Sequence, residues 1–79
     1  MIEVFYNIGK PSENLYFVDK ENSIFIGITQ GSLSSKLPMY EKTYSEYFLN
    51  QTLYLKVTEL AEFPKSIEEI NTIFPEYAI

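Results

Sequence analysis

The side chains able to do chemistry in this chain are eleven carboxylates, six lysines, seven tyrosines and scattered serines and threonines; histidine, cysteine, arginine and tryptophan do not occur. Carboxylates act as an acid–base pair when two of them converge on one substrate. Glu68 and Glu69 are adjacent in a stretch with helical spacing, so their side chains diverge by about 100°. Glu59 and Glu62 share a face only if their segment turns as a helix. Asp19, Glu21 and Asn22 offer Ca²⁺ three oxygen side chains, short of the roughly six to eight ligands it takes. Nucleophile and phosphate patterns also fail. Lys36 would need a serine at position 33, which is leucine, and Gly9-Lys10 runs into Pro11 without the upstream glycine of a phosphate loop. Without histidine there is no imidazole base near neutral pH, and without cysteine no thiolate nucleophile or soft metal ligand. These residue types predict a non-enzymatic protein that holds no cofactor and no metal.

The charges point toward partners instead. The net charge is −5. Six scattered lysines in an acidic chain make no basic stripe, so direct nucleic-acid binding is not expected. Residues 1–58 carry six carboxylates against five lysines, whereas residues 59–79 carry five carboxylates against Lys65 alone. Glu59, Glu62, Glu68 and Glu69 are therefore candidate contacts for a host protein with a basic surface, steered by long-range attraction. The plainer reading is a solvated helix face whose first-turn glutamates suit the helix dipole. Tyr40, Tyr44 and Tyr47 form the second candidate contact, because tyrosine joins a stiff apolar body to a polar tip. Their plainer reading is an aromatic stripe that closes a sheet.

These candidates must be placed by secondary structure. Ile2–Tyr6 is a run of strand formers leading into a turn at Asn7–Gly9. Leu15–Val18 and Ser23–Ile28 flank the polar stretch Asp19–Asn22 and predict a β-hairpin, with Asn22 suited to a left-handed turn position. Alternation sets Ile24, Ile26 and Ile28 on one face and Phe25 and Gly27 on the other. Residues 30–38 read as a loop. Thr43-Tyr44-Ser45-Glu46 fits a capping box, and Tyr40, Tyr44, Tyr47 and Phe48 have helical spacing, which predicts a helix of about two turns ending near Asn50; a Tyr-rich strand is the competing reading. Thr52–Val57 alternates as a strand. Ser66-Ile67-Glu68-Glu69 is a second capping box, opening a helix whose Ile67, Ile70, Ile73 and Phe74 share a face and which Pro75 ends.

The spacing Leu53-x-Leu55-x-x-Thr58-x-Leu60-x-x-Phe63-Pro64-x-x-Ile67-x-x-Ile70 resembles a single leucine-rich repeat, over about a quarter of the chain. Nothing upstream repeats it, and a solenoid closes its core with roughly three or more units. The spacing is accordingly that of a strand, a turn and a helix packing together, and it carries no function with it.

The expected fold is one α+β domain over residues 1–79: a small antiparallel sheet of four to five strands with one or two short helices packed on one face. A sheet this small leaves strand edges open, so pairing into a homodimer through an edge is an expected mode of association. No stretch approaches the length of a membrane span, and Glu3 interrupts any apolar leader core, so neither a membrane nor a signal peptide is expected. The lack of cysteine fits a reducing, cytoplasmic setting. Abundant Ile, Tyr, Phe and Asn with two alanines and no arginine suggest an AT-rich genome. Together these features predict a small acidic protein-binding module, of the kind a phage encodes to block a host defence or nucleic-acid-processing protein. A structural or accessory subunit of an oligomer and a small-molecule (nucleotide) binder are the alternatives.

Overall fold

The computed structural model of the chain describes residues 1–9, 15–29, 32–33, 36–49 and 53–77, without the side chains of Thr29, Thr43, Glu46, Tyr47 and Tyr77. Its centre is a meander of three antiparallel strands: β1 (Ile2–Asn7), β2 (Leu15–Asp19) and β3 (Ile24–Thr29). Two residue pairs, β4 (Ser32–Leu33) and β5 (Leu37–Pro38), cover the far edge of β3. The chain then crosses to the other side of β1 and adds β6 (Tyr54–Leu60) antiparallel to it. The order is β4-β3-β2-β1-β6, with β5 also paired to β3: among the described residues a mostly-sheet α+β fold of five to six strands, where four to five are expected.

The β2–β3 hairpin forms as its sequence suggests, with one correction at the tip. The left-handed position is Ser23, at φ 55°, and not Asn22. Asn22 is engaged elsewhere: its side-chain amide donates to Asp19 Oδ2 at 2.7 Å and its backbone N–H to Asp19 Oδ1 at 3.2 Å. That side-chain bond above all holds the Asp19 carboxyl below its usual range. The Asn7–Gly9 turn closes through Gly9 N–H donating to Asn7 Oδ1 at 2.9 Å.

Strand alternation sorts the apolar residues onto two faces, and both are covered. One face presents Val4, Leu15, Phe17, Ile26 and Ile28, buried beneath Ile70 and Phe74. The opposite face presents Phe5, Val18 and Tyr54, buried with Met39, Tyr44 and Phe48. The expectation of helices on a single face therefore holds for one of the two. α2 (Ile67–Ile73) covers the first face. The crossing connection, α1 (Glu41–Thr43) continued by a π-helical turn at Tyr44–Phe48, covers the second. A connection from the β3 edge to the β1 edge must traverse the sheet, and burying Phe48 between Phe5, Tyr16, Phe25 and Tyr54 is what holds it down.

The two expected helix starts fare differently. At α2, Ser66 Oγ accepts from Glu69 N–H at 3.1 Å, as the capping box requires. Glu69 Oε2 returns the bond to Lys65 N–H at 2.9 Å, one residue earlier than the standard box. At α1 the side chains of the expected box, Thr43 and Glu46, lie outside the described residues. The backbone turns helical at Glu41, two residues before Thr43, with Tyr40 at the N-cap and no side-chain cap there, just after Met39, whose N–H bonds to Ser23 carbonyl. The helix widens after one turn: Leu49 N–H reaches Tyr44 carbonyl, an i→i+5 bond. The expected end near Asn50 lies outside the described residues.

Candidate functional site

β6 is where positioning and exposure coincide. Tyr54-Leu55-Lys56-Val57-Thr58 is rich in β-branched and aromatic residues, and its pairing with β1 places it at the end of the sheet. Among the described residues its other edge has no strand beside it. The ladder shifts register between Val4 and Phe5: Val4 pairs with Thr58 and Phe5 with Lys56, leaving Val57 as the extra residue of a β-bulge.

Exposed apolar side chains gather on this side of the molecule. Leu49, Leu53, Leu55, Ile73 and Ile8 are all 42–57% exposed. Leu53 carbonyl accepts from Ile8 N–H at 2.9 Å, placing those two residues side by side. Two clefts flank the strand, one on each face of the sheet. That of about 220 Å³ is lined by Tyr54, Leu55, Phe48 and Leu49. That of about 520 Å³ is lined by Leu55, Val57, Leu60, Ile73 and Glu76. Leu55 borders both. Exposed apolar surface of this extent beside an open strand edge is the usual mark of a protein contact.

The polar side of β6 is held by a small charge network. Glu3 and Glu59 face each other across the β1–β6 ladder, a destabilising pairing on its own. Lys56 relieves it, with Nζ 3.2 Å from Glu3 Oε2 and 3.3 Å from Glu59 Oε1. The bond to Glu3, reinforced by that to Glu59, raises the Lys56 ammonium above its ordinary pKa. The other Glu3 oxygen accepts from Tyr44 OH at 2.9 Å.

Tyr44 is therefore a structural residue. It is 7% exposed, and Lys20 Nζ lies 4.7 Å from its ring centroid. Burial, then the Glu3 hydrogen bond and negative charge, pushes its hydroxyl from the usual 10 up to about 12. The folded protein holds this proton more tightly than the unfolded chain does. The linked stabilisation, up to about 2–3 kcal/mol, is thus complete below pH ~10 and is lost as the pH rises through ~12. An ultraviolet titration of tyrosinate should show a late step near pH 12, from Tyr44. Tyr44→Phe should remove that late step. A wild-type curve with no late step would mean that the Glu3 contact is open in solution.

The other residues expected to form contact surfaces are dispersed. Tyr40 is 70% exposed at the start of α1, apart from buried Tyr44, and the Tyr47 side chain lies outside the described residues. The tyrosines thus do not make one exposed patch. Glu59 shares a face with Glu3, whereas Glu68 and Glu69 ride on α2 over the opposite face. Glu59 and Glu62 do not share a helical face, because Glu59 is in β6 and Glu62 is in the turn that follows. Glu69 is committed to its cap, and Glu62 borders an open cleft of about 630 Å³ floored by Ile2, Ile24 and Ile26. In that cleft Lys36 Nζ lies 5.0 Å from the Phe63 ring centroid. The four glutamates, close in sequence, do not form one surface. Among the described residues no three acidic side chains are grouped to hold a metal ion, and no helix is long and apolar enough to cross a membrane.

The exposed leucines of β6 escape a reading of the sequence, because clean alternation suggests a buried leucine face. At the edge of the sheet, Leu55 and the preceding Leu53 remain 49% and 45% exposed instead. Compared with protein-family models, curated proteins and solved structures, the chain finds no match in any of the three.

Proposed function

We propose that the chain is a non-enzymatic protein-binding module whose contact surface is the open edge of β6 with its apolar flanks. One observation carries this reading: Leu49, Leu53, Leu55, Ile73 and Ile8 lie exposed along the one long strand that ends the sheet. Such a surface takes a polypeptide, whose backbone can meet the free amides and carbonyls and whose apolar side chains can fill the flanking clefts. The acidic residues of the α2 side, Glu62, Glu68 and Glu76, are exposed and suit a basic target. An inhibitor that a phage directs at a host protein is the form of this reading in which the covered surface is a working one.

A photo-crosslinking amino acid placed at position 55, with position 40 as an equally accessible control away from β6, tests this directly. Polypeptide adducts are expected from 55 and not from 40. Adducts from neither, or equally from both, would overturn the assignment. Leu55→Asp should abolish capture by a crosslinker placed at Ile73, while shifting the melting temperature by no more than about 4–8 °C, because the side chain is already half-exposed.

A further inference from the structure

The bulge gives the free edge of β6 a symmetry that names its occupant. On a regular strand, residues three apart point to opposite faces. Lys56 and Glu59 are three apart but share a face, because Lys56 pairs with Phe5 and Glu59 with Glu3, two residues apart on β1. Leu55 and Leu60, paired with Tyr6 and Ile2, share the other face. When a strand pairs antiparallel with its own copy, the twofold axis stands normal to the sheet and each face runs on into the same face of the copy. Only residues on one face can then meet. A regular strand cannot set residues three apart opposite each other's copies, and the extra residue Val57 removes that bar.

With the axis between Val57 and Thr58, Lys56 stands opposite Glu59 of the second copy, and Leu55 opposite its Leu60. Symmetry repeats both pairs. A slip of two residues either way loses both ionic pairs, and a slip of one sets the faces out of step. A bulge and an edge lysine blunt a strand against arbitrary partners; here the same two features match in one register only.

We propose that the occupant of the β6 edge is a second copy of this chain, paired antiparallel about a twofold axis at the Val57 bulge. This rests on the reading of β6 as a protein-binding surface. A standard interface takes roughly 800 Å² from each partner, about a sixth of the 4966 Å² exposed by one copy. The strand together with Leu49, Leu53, Leu55 and Ile73 supplies the apolar part. The axis also brings the two α2 helices onto the same side of a continuous sheet, where their glutamates form one wide acidic face.

The test is light scattering on the purified chain from about 1 µM to about 1 mM, with charge swaps. The wild type should pass from monomer to dimer in this range. Lys56→Glu and Glu59→Lys should each weaken the dimer by about tenfold or more, since each turns two attractive pairs into two repulsive ones. The double variant should restore it, because the pairs re-form reversed and Lys at 59 then faces Glu3. That recovery also guards against a single variant that merely unfolds. A monomer at every concentration, or a double variant no better than the singles, would overturn the proposal. If the purified chain stays monomeric while position 55 still crosslinks to a different polypeptide, the second copy is excluded and the protein-binding reading stands. If position 55 crosslinks to nothing, both fall.

Discussion

Phe48→Ala is expected to remove about 3–5 kcal/mol of stability, the usual range for truncating a buried aromatic. Phe48 is 3% exposed, and its ring centroid lies 5.2–6.2 Å from those of Phe5, Tyr16, Phe25, Tyr44 and Tyr54. Among the described side chains of the crossing connection it is the one with ring contacts to all of these. A chain of this size has roughly 4–12 kcal/mol in total, so the substitution removes a large share. At ~4–8 °C per kcal/mol the melting temperature should fall by more than about 12 °C. The near-ultraviolet signal of the tyrosines should weaken in step. A loss of unfolding free energy by urea denaturation of less than about 1 kcal/mol would mean that the crossing connection does not pack on the sheet as described.

Ile70→Ala is expected to cost about 2–5 kcal/mol by the same physics on the other face. Ile70 has no exposed surface and is the buried residue of α2, packed into the cluster of Val4, Leu15, Phe17, Ile26 and Ile28. α2 has only seven residues, too few to persist as a helix without that contact, so its helical signal should fall with the stability. Because Phe48 and Ile70 lie on opposite sides of the sheet, their effects on the free energy should add to within about 0.5 kcal/mol. Denaturation of both single variants and the double variant checks this. A coupling well above that value would show that the two clusters form one core.

The features legible in the sequence are those set by local chemistry. Ile24, Ile26 and Ile28 alternate against Phe25 because a strand permits no other arrangement, and they fall on the faces expected. Ser66 and Glu69 mark the start of α2, and the helix stops at Ile73 before Pro75. What stayed hidden depends on contacts between distant segments. Tyr44 could have been an interface residue or a core residue, and Glu3, forty-one positions away, makes it the second. Thr43 marks a helix start in the sequence, whereas the backbone begins α1 at Glu41, just after Met39 bonds to Ser23. The acidic stretch after residue 58 is continuous in sequence, yet β6 and α2 carry its charges to different faces. The bulge at Val57 has no local signature, because the extra residue is defined only against Val4 and Phe5 of the partner strand. The open edge was expected in general terms, but the face shared by Lys56 and Glu59 follows from that bulge.

Amide hydrogen exchange along Tyr54–Leu60, followed as the protein is diluted, tests most directly whether the open edge of β6 is a contact surface and a second copy its occupant. β2 serves as internal reference, since both its edges are paired within the chain. The outward-facing amides of β6 should exchange slowly in concentrated solution and faster on dilution, while those of β2 stay unchanged. Amides of β6 that exchange at one rate at every concentration would contradict a second copy as the occupant of that edge.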